Sequence, residues 1–170
     1  QEITVVRGWG FNRYASLAAA VVLTVTLLVA NFAPFSTTEV LSPIVYATNI
    51  GETEKVILSD NSVITLNTDS EIVVTLTDDM RRVKLVSGEA FFDVSKDAQR
   101  PFVIETPEGL VRVLGTSFNI RIDNTKTIVA VVEGKVGVAP LAAVYEVATS
   151  EFEPLITLTA NQQFVLADGN

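Results

Sequence analysis

The sequence has no cysteine and no histidine, and only one methionine and one tryptophan, among 170 residues. Without cysteine there is no disulfide and no thiol nucleophile. Without histidine as well, Cys/His zinc sites and Ser-His triads are excluded. The missing cysteines leave the redox compartment open and say only that the fold needs no covalent staple. Basic residues are also scarce: 12 Lys and Arg stand against 20 Asp and Glu, a formal charge of −8. A nucleic-acid surface needs clustered Lys and Arg to displace counterions, so nucleic acid is not an expected partner. Neither a nucleophile motif nor a metal cluster is visible, which disfavours an envelope hydrolase, and no cofactor is implied.

What is present is apolar: 48% of the residues are hydrophobic. Tyr14 to Thr38 carries no charge, and its apolar heart runs from Ala15 to Ala33. At ~1.5 Å per residue that stretch spans roughly the hydrocarbon core of a bilayer. Trp9 and Tyr14 flank one end, Phe32 and Phe35 the other, as interfacial aromatics do. Arg7 and Arg13 precede the segment and Glu39 is the first charge after it, which places the N-terminus in the cytoplasm. A signal peptide would share this orientation, but its apolar region is shorter. A buried core helix would show a polar face, which this stretch lacks. The chain begins at Gln1, close to the apolar segment, and reads as a fragment whose N-terminal portion lies outside it.

Beyond a linker at 36–45 the apolar period becomes two. Lys55–Leu58, Val63–Asn67, Glu71–Leu76, Arg81–Val86, Glu89–Val94, Phe102–Thr106, Leu110–Leu114, Ser117–Ile122, Thr127–Val132 and Lys135–Val138 read as strands. Ser59, Asp60, Asn61 and Ser62 make a tight turn, with residues that tolerate positive φ. The expected fold is all-β, an antiparallel sandwich or a solenoid-like β-roll, preceded by one transmembrane helix. Glycines at 88, 109, 115 and 134 stand beside strands. Their spacing reads either as a weak repeat of stacked turns or as ordinary hairpin punctuation. The expected organisation is a cytoplasmic flank at 1–13, a transmembrane helix at 14–35, the linker, a β domain at 46–139 and a C-terminal β extension at 140–170. In that extension Ala143–Ala148, Leu155–Leu158 and Gln163–Leu166 read as strands.

An ordered set of short motifs runs through the β region. It includes Gly51-Glu52, Leu58 to Ser62, Leu66-Asn67, Arg82 to Leu85, Gly88 to Val94, Arg100 to Phe102, Val113 to Ile120 and Val132 to Val136. Together these resemble the FecR-type transmembrane regulators of extracytoplasmic-function (ECF) sigma factors. The family often has Pro-Asp-Gly where this chain has Ser59, Asp60 and Asn61. The resemblance implies an inner-membrane, single-pass protein whose periplasmic β domain contacts the signalling domain of a TonB-dependent outer-membrane transporter. An ECF sigma factor would bind a cytoplasmic domain absent from this chain, and site-specific proteases would carry the signal. Iron uptake is the implied response. The alternative is a membrane-tethered β module that binds cell-wall glycan or another envelope component, which would want exposed aromatics flanked by polar groups.

Some relatives are reported to cut themselves between Gly and Thr in the motif that here holds Gly115 and Thr116. A Thr hydroxyl can attack the preceding carbonyl in an N-to-O acyl shift, given activation and a suitable backbone. With no histidine available, water or a nearby carboxylate such as Asp93 or Glu89 would have to act as base. Read from the residues alone, Gly115 makes a bulge and Thr116 resumes the strand. Glu89 and Asp93 share a strand face, as an ion-paired or solvated pair. Asp78 and Asp79 beside Arg81 and Arg82 read as a charged turn. Arg100, before Pro101, braces the start of a strand or meets a partner. Phe91 and Phe92 face opposite sides of one strand, so one of them is a candidate for partner binding.

Overall fold

The computed structural model describes residues 42–140 and 154–167. All belong to the second of two units, Gln1–Val40 and Leu41–Asn170. The expected membrane helix at 14–35, its flank at 1–13 and the strand at Ala143–Ala148 lie outside the described residues.

Within them the chain forms thirteen strands. They are β1 (Ile44–Ala47), β2 (Glu54–Ile57), β3 (Val63–Leu66), β4 (Glu71–Leu76), β5 (Arg81–Ser87), β6 (Glu89–Asp93), β7 (Phe102–Glu105), β8 (Gly109–Val113), β9 (Ser117–Asp123), β10 (Lys126–Glu133), β11 (Lys135–Pro140), β12 (Ile156–Thr159) and β13 (Gln163–Ala167). The first sheet has the order β1-β4-β5-β7-β8-β11-β12, the second β2-β3-β6-β9-β10-β13. Both ascend in chain order. The chain lays one or two strands in one sheet, crosses to the other, and never returns to an earlier place. It is a sandwich in its layering and a roll in its winding.

One pair departs from the expected antiparallel pattern: β5 and β7 run parallel. Direction reverses with each strand, and only β6 intervenes between them, in the other sheet. At the other crossings two strands intervene, so the neighbours are antiparallel.

Alternation along the strands builds the core. Ile72, Val74, Val83, Leu85, Phe102, Ile104, Val111 and Val113 come from the first sheet. Ile64, Leu66, Ala90, Phe92, Phe118, Ile120, Val129 and Val131 come from the second. Phe92 and Phe118 are cross-strand partners, stacked with centroids 5.2 Å apart. The late strands β12 and β13 add Leu158 and Leu166 to the same core.

The glycines mark a repeat, but of a longer unit than their spacing implies. A shift of 46 residues carries Ser70 onto Thr116, Gly88 onto Gly134 and Glu89 onto Lys135. The β4–β5 hairpin pairs Glu71 with Ser87, then slips to Ile72 with Leu85. The β9–β10 hairpin pairs Ser117 with Glu133, then slips to Phe118 with Val131. The same bulge thus recurs at equivalent positions, extruding Val86 and Val132, both exposed. The hairpins lie in opposite sheets, so the repeat exchanges the two layers. A bulge of this kind bends its strand and increases the local twist. A single glycine then completes the crossing: Gly88 at φ 81° and Gly134 at φ 92°. These are left-handed values that a Cβ disfavours. The β2–β3 turn uses Asn61 at φ 64°, in place of a glycine.

Arg81 was expected in a charged turn; it is instead buried, with 1% of its surface exposed. Its position is in phase with Val83 and Leu85, on the inward face of β5. Its Nε donates to Arg100 O at 2.7 Å, Nη1 to Ser95 O at 3.0 Å and Asp60 Oδ2 at 3.1 Å, and Nη2 to Asp97 O at 3.3 Å. The guanidinium also lies 5.5 Å from the Phe102 ring centroid. Asp60 in turn accepts from Ser62 N and Oγ, and Ser62 Oγ accepts from Ser95 N. One guanidinium therefore ties the β2–β3 turn to the β6–β7 loop. In the second half of the repeat, Thr127 stands where Arg81 does and bonds Glu108 of the β7–β8 turn.

Candidate functional site

The sequence candidates fall at three places. The first is the Gly134 corner. Thr116 is 5% exposed and its hydroxyl donates to Lys135 O at 3.0 Å, across the corner. Ser70 does the same at the Gly88 corner, donating to Glu89 O at 3.0 Å. Gly115 has φ 150°, and a Cβ there would lie 2.7 Å from Lys96 Cα. A depression of about 450 Å³ adjoins the corner, lined in part by Leu114, Gly115, Thr116 and Lys135. The two carboxylates named as bases are bonded elsewhere. Asp93 accepts from Ser117 Oγ at 2.8 Å, and Glu89 accepts from Asn119 and Asn67.

Thr116→Val should therefore lower stability by about 1 kcal/mol, the scale of one lost, part-buried hydrogen bond. Thr116→Ser should restore most of it. Urea unfolding of the three proteins checks this, and equal losses in Val and Ser variants would contradict the brace.

The second place is the β6–β7 loop. Arg100 Nε donates to Asp97 Oδ2 at 2.9 Å, and Nη1 reaches Thr77 O and Asp78 O of the β4–β5 turn. It thus ties the start of β7 to that turn, with its own carbonyl held by Arg81. The Arg100 side chain beside Asp97 holds that carboxyl below the usual carboxylate range. A depressed carboxyl contributes stability above its unfolded value, lost as pH falls through the folded one. The contribution is thus present above roughly pH 4 and declines below it. Arg100→Ala should flatten the stability profile on the acid side of pH 4. An unchanged acid limb would contradict it.

The third is the outer face of the second sheet. Phe92 points inward and is fully buried, so it presents nothing to a partner. Phe91 points outward and is half-buried, opposite Thr65 of β3 and Asn119 of β9. Glu89 lies two residues along the same face. Its Oε1 accepts from Asn119 Nδ2 at 2.7 Å and its Oε2 from Asn67 Nδ2 at 3.0 Å. A depression of about 210 Å³ is lined by Thr53, Thr65, Leu66, Asn67, Glu89, Phe91 and Asn119. The sequence flagged Phe91 and Glu89 but not Asn67 or Asn119. Those two share the polar face by the period of two, yet only the β3-β6-β9 order makes them neighbours.

These features define a two-sheet β module built from a repeated bulge-and-glycine corner, with polar side chains grouped around Phe91 on one outer face. The FecR protein family matches residues 44–137, more than half of the chain. The chain belongs to the FecR family. No curated protein matches it. Two crystal structures of a provisionally named anti-sigma factor from Parabacteroides distasonis are similar to it, each at 31% identity. One has a TM-score of 0.63 over 76% of this chain and 57% of its own; the other 0.62 over 75% and 56%. The chain thus spans a little over half the length of those proteins.

Proposed function

We propose that this chain is the periplasmic sensing and relay portion of a sigma-factor regulator. It is anchored by residues 14–35 as a single-pass inner-membrane protein with its N-terminus in the cytoplasm. The observation that carries the reading is the FecR match over 44–137, supported by likeness to structures named as an anti-sigma factor. In this reading the β module receives a signal from the signalling domain of a TonB-dependent outer-membrane transporter. An ECF sigma factor binds a cytoplasmic domain, and site-specific proteases complete the relay to iron-uptake or similar genes. The bracing of Thr116 supports an architectural role at the corner, with self-cleavage at Gly115-Thr116 the alternative role for that pair.

The absence of cysteine makes the topology directly testable. Thr65→Cys, at an exposed outer-face position, should react with a membrane-impermeant maleimide in cells whose outer membrane alone is permeabilised. Labelling only after lysis would overturn the periplasmic placement. For the relay, the full-length protein carries a tag at each end. Its N-terminal fragment should bring down a sigma factor identified by mass spectrometry. Recovery of none would remove the regulator reading. The mass of the C-terminal fragment reports whether the chain is cut at Gly115-Thr116.

A further inference from the structure

Among the described residues, the outer face of the second sheet carries polar side chains around one half-buried aromatic ring. Phe91 sits near its centre, between Thr65 and Asn119 on the neighbouring strands. Beside it the Glu89 carboxylate is held by two amides, one on each oxygen. Two amide donors fix the direction of both oxygens, yet a carboxylate has about four lone-pair sites, so acceptor capacity remains on the solvent side. Thr53 and Thr65 add hydroxyl-bearing side chains to the same depression.

An aromatic face flanked by a pre-oriented carboxylate, amides and hydroxyls suits a ligand with two kinds of surface. One must be a flat C–H face that packs on the ring; the other must be a rim of hydroxyl donors. A pyranose ring has both. A nucleotide also stacks on aromatic rings, but the charges around this ring balance, Glu89 and Asp93 against Lys55 and Arg121 on the same face, and offer its phosphates no net attraction. Peptidoglycan strands, which carry carboxylates, likewise gain no net attraction there. The six strands of this sheet, about 4.8 Å apart, make a platform roughly 25 Å across, long enough for several sugar rings.

We propose that the outer face of the second sheet binds an uncharged polysaccharide, one ring packing on Phe91 with its hydroxyls on Glu89 and Asn119. The site does not depend on the sigma-factor reading and holds for any role of the module. Binding at an open surface is weak for each ring and gains from neighbouring rings along the chain.

The test uses the 170-residue chain in a detergent without a sugar headgroup, since a glycosidic detergent would compete. It is applied to an array of neutral oligosaccharides: glucans, mannans, xylans and galactans. Peptidoglycan strands and polygalacturonate serve as anionic probes. At least one neutral glycan should bind. Phe91→Ala should weaken it roughly tenfold, the effect of losing one aromatic contact. Glu89→Gln and Asn119→Ala should each weaken it too. Lys84→Ala, on the other sheet, should leave it unchanged. Phe91 is only half-buried, so its variant should keep the parent's circular dichroism. If Phe91→Ala does unfold, Asn119→Ala decides. No neutral binding on the array, binding of anionic probes alone, or neutral binding indifferent to both Phe91 and Asn119 would each overturn the proposal.

Discussion

Arg81→Met should lower the unfolding free energy by about 3–5 kcal/mol, the range for breaking a buried ion pair from one side. Methionine fills much of the same volume, so the loss is electrostatic more than steric. It leaves the Asp60 carboxylate, itself 7% exposed at the side chain, without its cation. It also leaves Ser95 O, Asp97 O and Arg100 O without the donor that now serves them. These three carbonyls hold the β6–β7 loop against the β2–β3 turn. Asp60→Asn should cost less, because three carbonyl acceptors still hold the guanidinium. The double variant should be more stable than the sum of the two losses predicts, by about 1–3 kcal/mol, because both act on one network. Urea unfolding of the four proteins measures all of this. An Arg81→Met loss below about 1 kcal/mol, the scale of exposed pairs, would mean the network contributes no more than a surface ion pair.

Gly88→Ala should be the most harmful alanine substitution at the crossings. Two effects add. At φ 81° a Cβ costs about 1–2 kcal/mol. That Cβ would also sit 2.5 Å from Asp69 O and 2.6 Å from Ser70 Cα, backbone atoms that cannot swing away. Relief by backbone movement adds about 1–3 kcal/mol. Gly134 occupies the equivalent corner, but its tightest backbone contact there would be 3.2 Å, to Gly115 O. Its nearest contact is the Thr116 Oγ1 brace at 2.9 Å, so Gly134→Ala should cost the conformational strain and a smaller displacement than at Gly88. Gly51, at φ 86° with nothing within 4 Å, is the control for strain alone. The expected order of loss is Gly88, then Gly134, then Gly51. Equal losses at Gly88 and Gly51 would show that the corner relaxes freely and that packing at Ser70 plays no part.

Much of this protein was legible residue by residue. Apart from β1, which begins inside the expected linker at 36–45, the strand positions follow from the period of two, and the positive φ at Asn61 from the turn chemistry of its segment. That Phe91 and Phe92 face opposite sides also follows from the period; which of them faces the core does not. Arg81 shows the limit of local reading. Next to Asp78, Asp79 and Arg82 it looks like part of a solvated turn. Its phase with Val83 and Leu85 was the available signal, and charge obscured it. The carboxylate it pairs with lies 21 positions back in another turn.

The family, the β class, the turn positions and the lack of any thiol or imidazole among the 170 residues were determined by the sequence alone. Composition and alternation are local properties, and they survive without knowledge of which strands are neighbours. The tertiary structure decided the rest. It separated the layers of each half, so that a 46-residue repeat exchanges sheets and hides behind glycines at shorter spacing. It made β5 and β7 parallel by sending a single strand across between them. It placed Asn67, Glu89 and Asn119 side by side from three separate strands. Each of these depends on strand order between segments distant in sequence, which a period of two leaves undetermined.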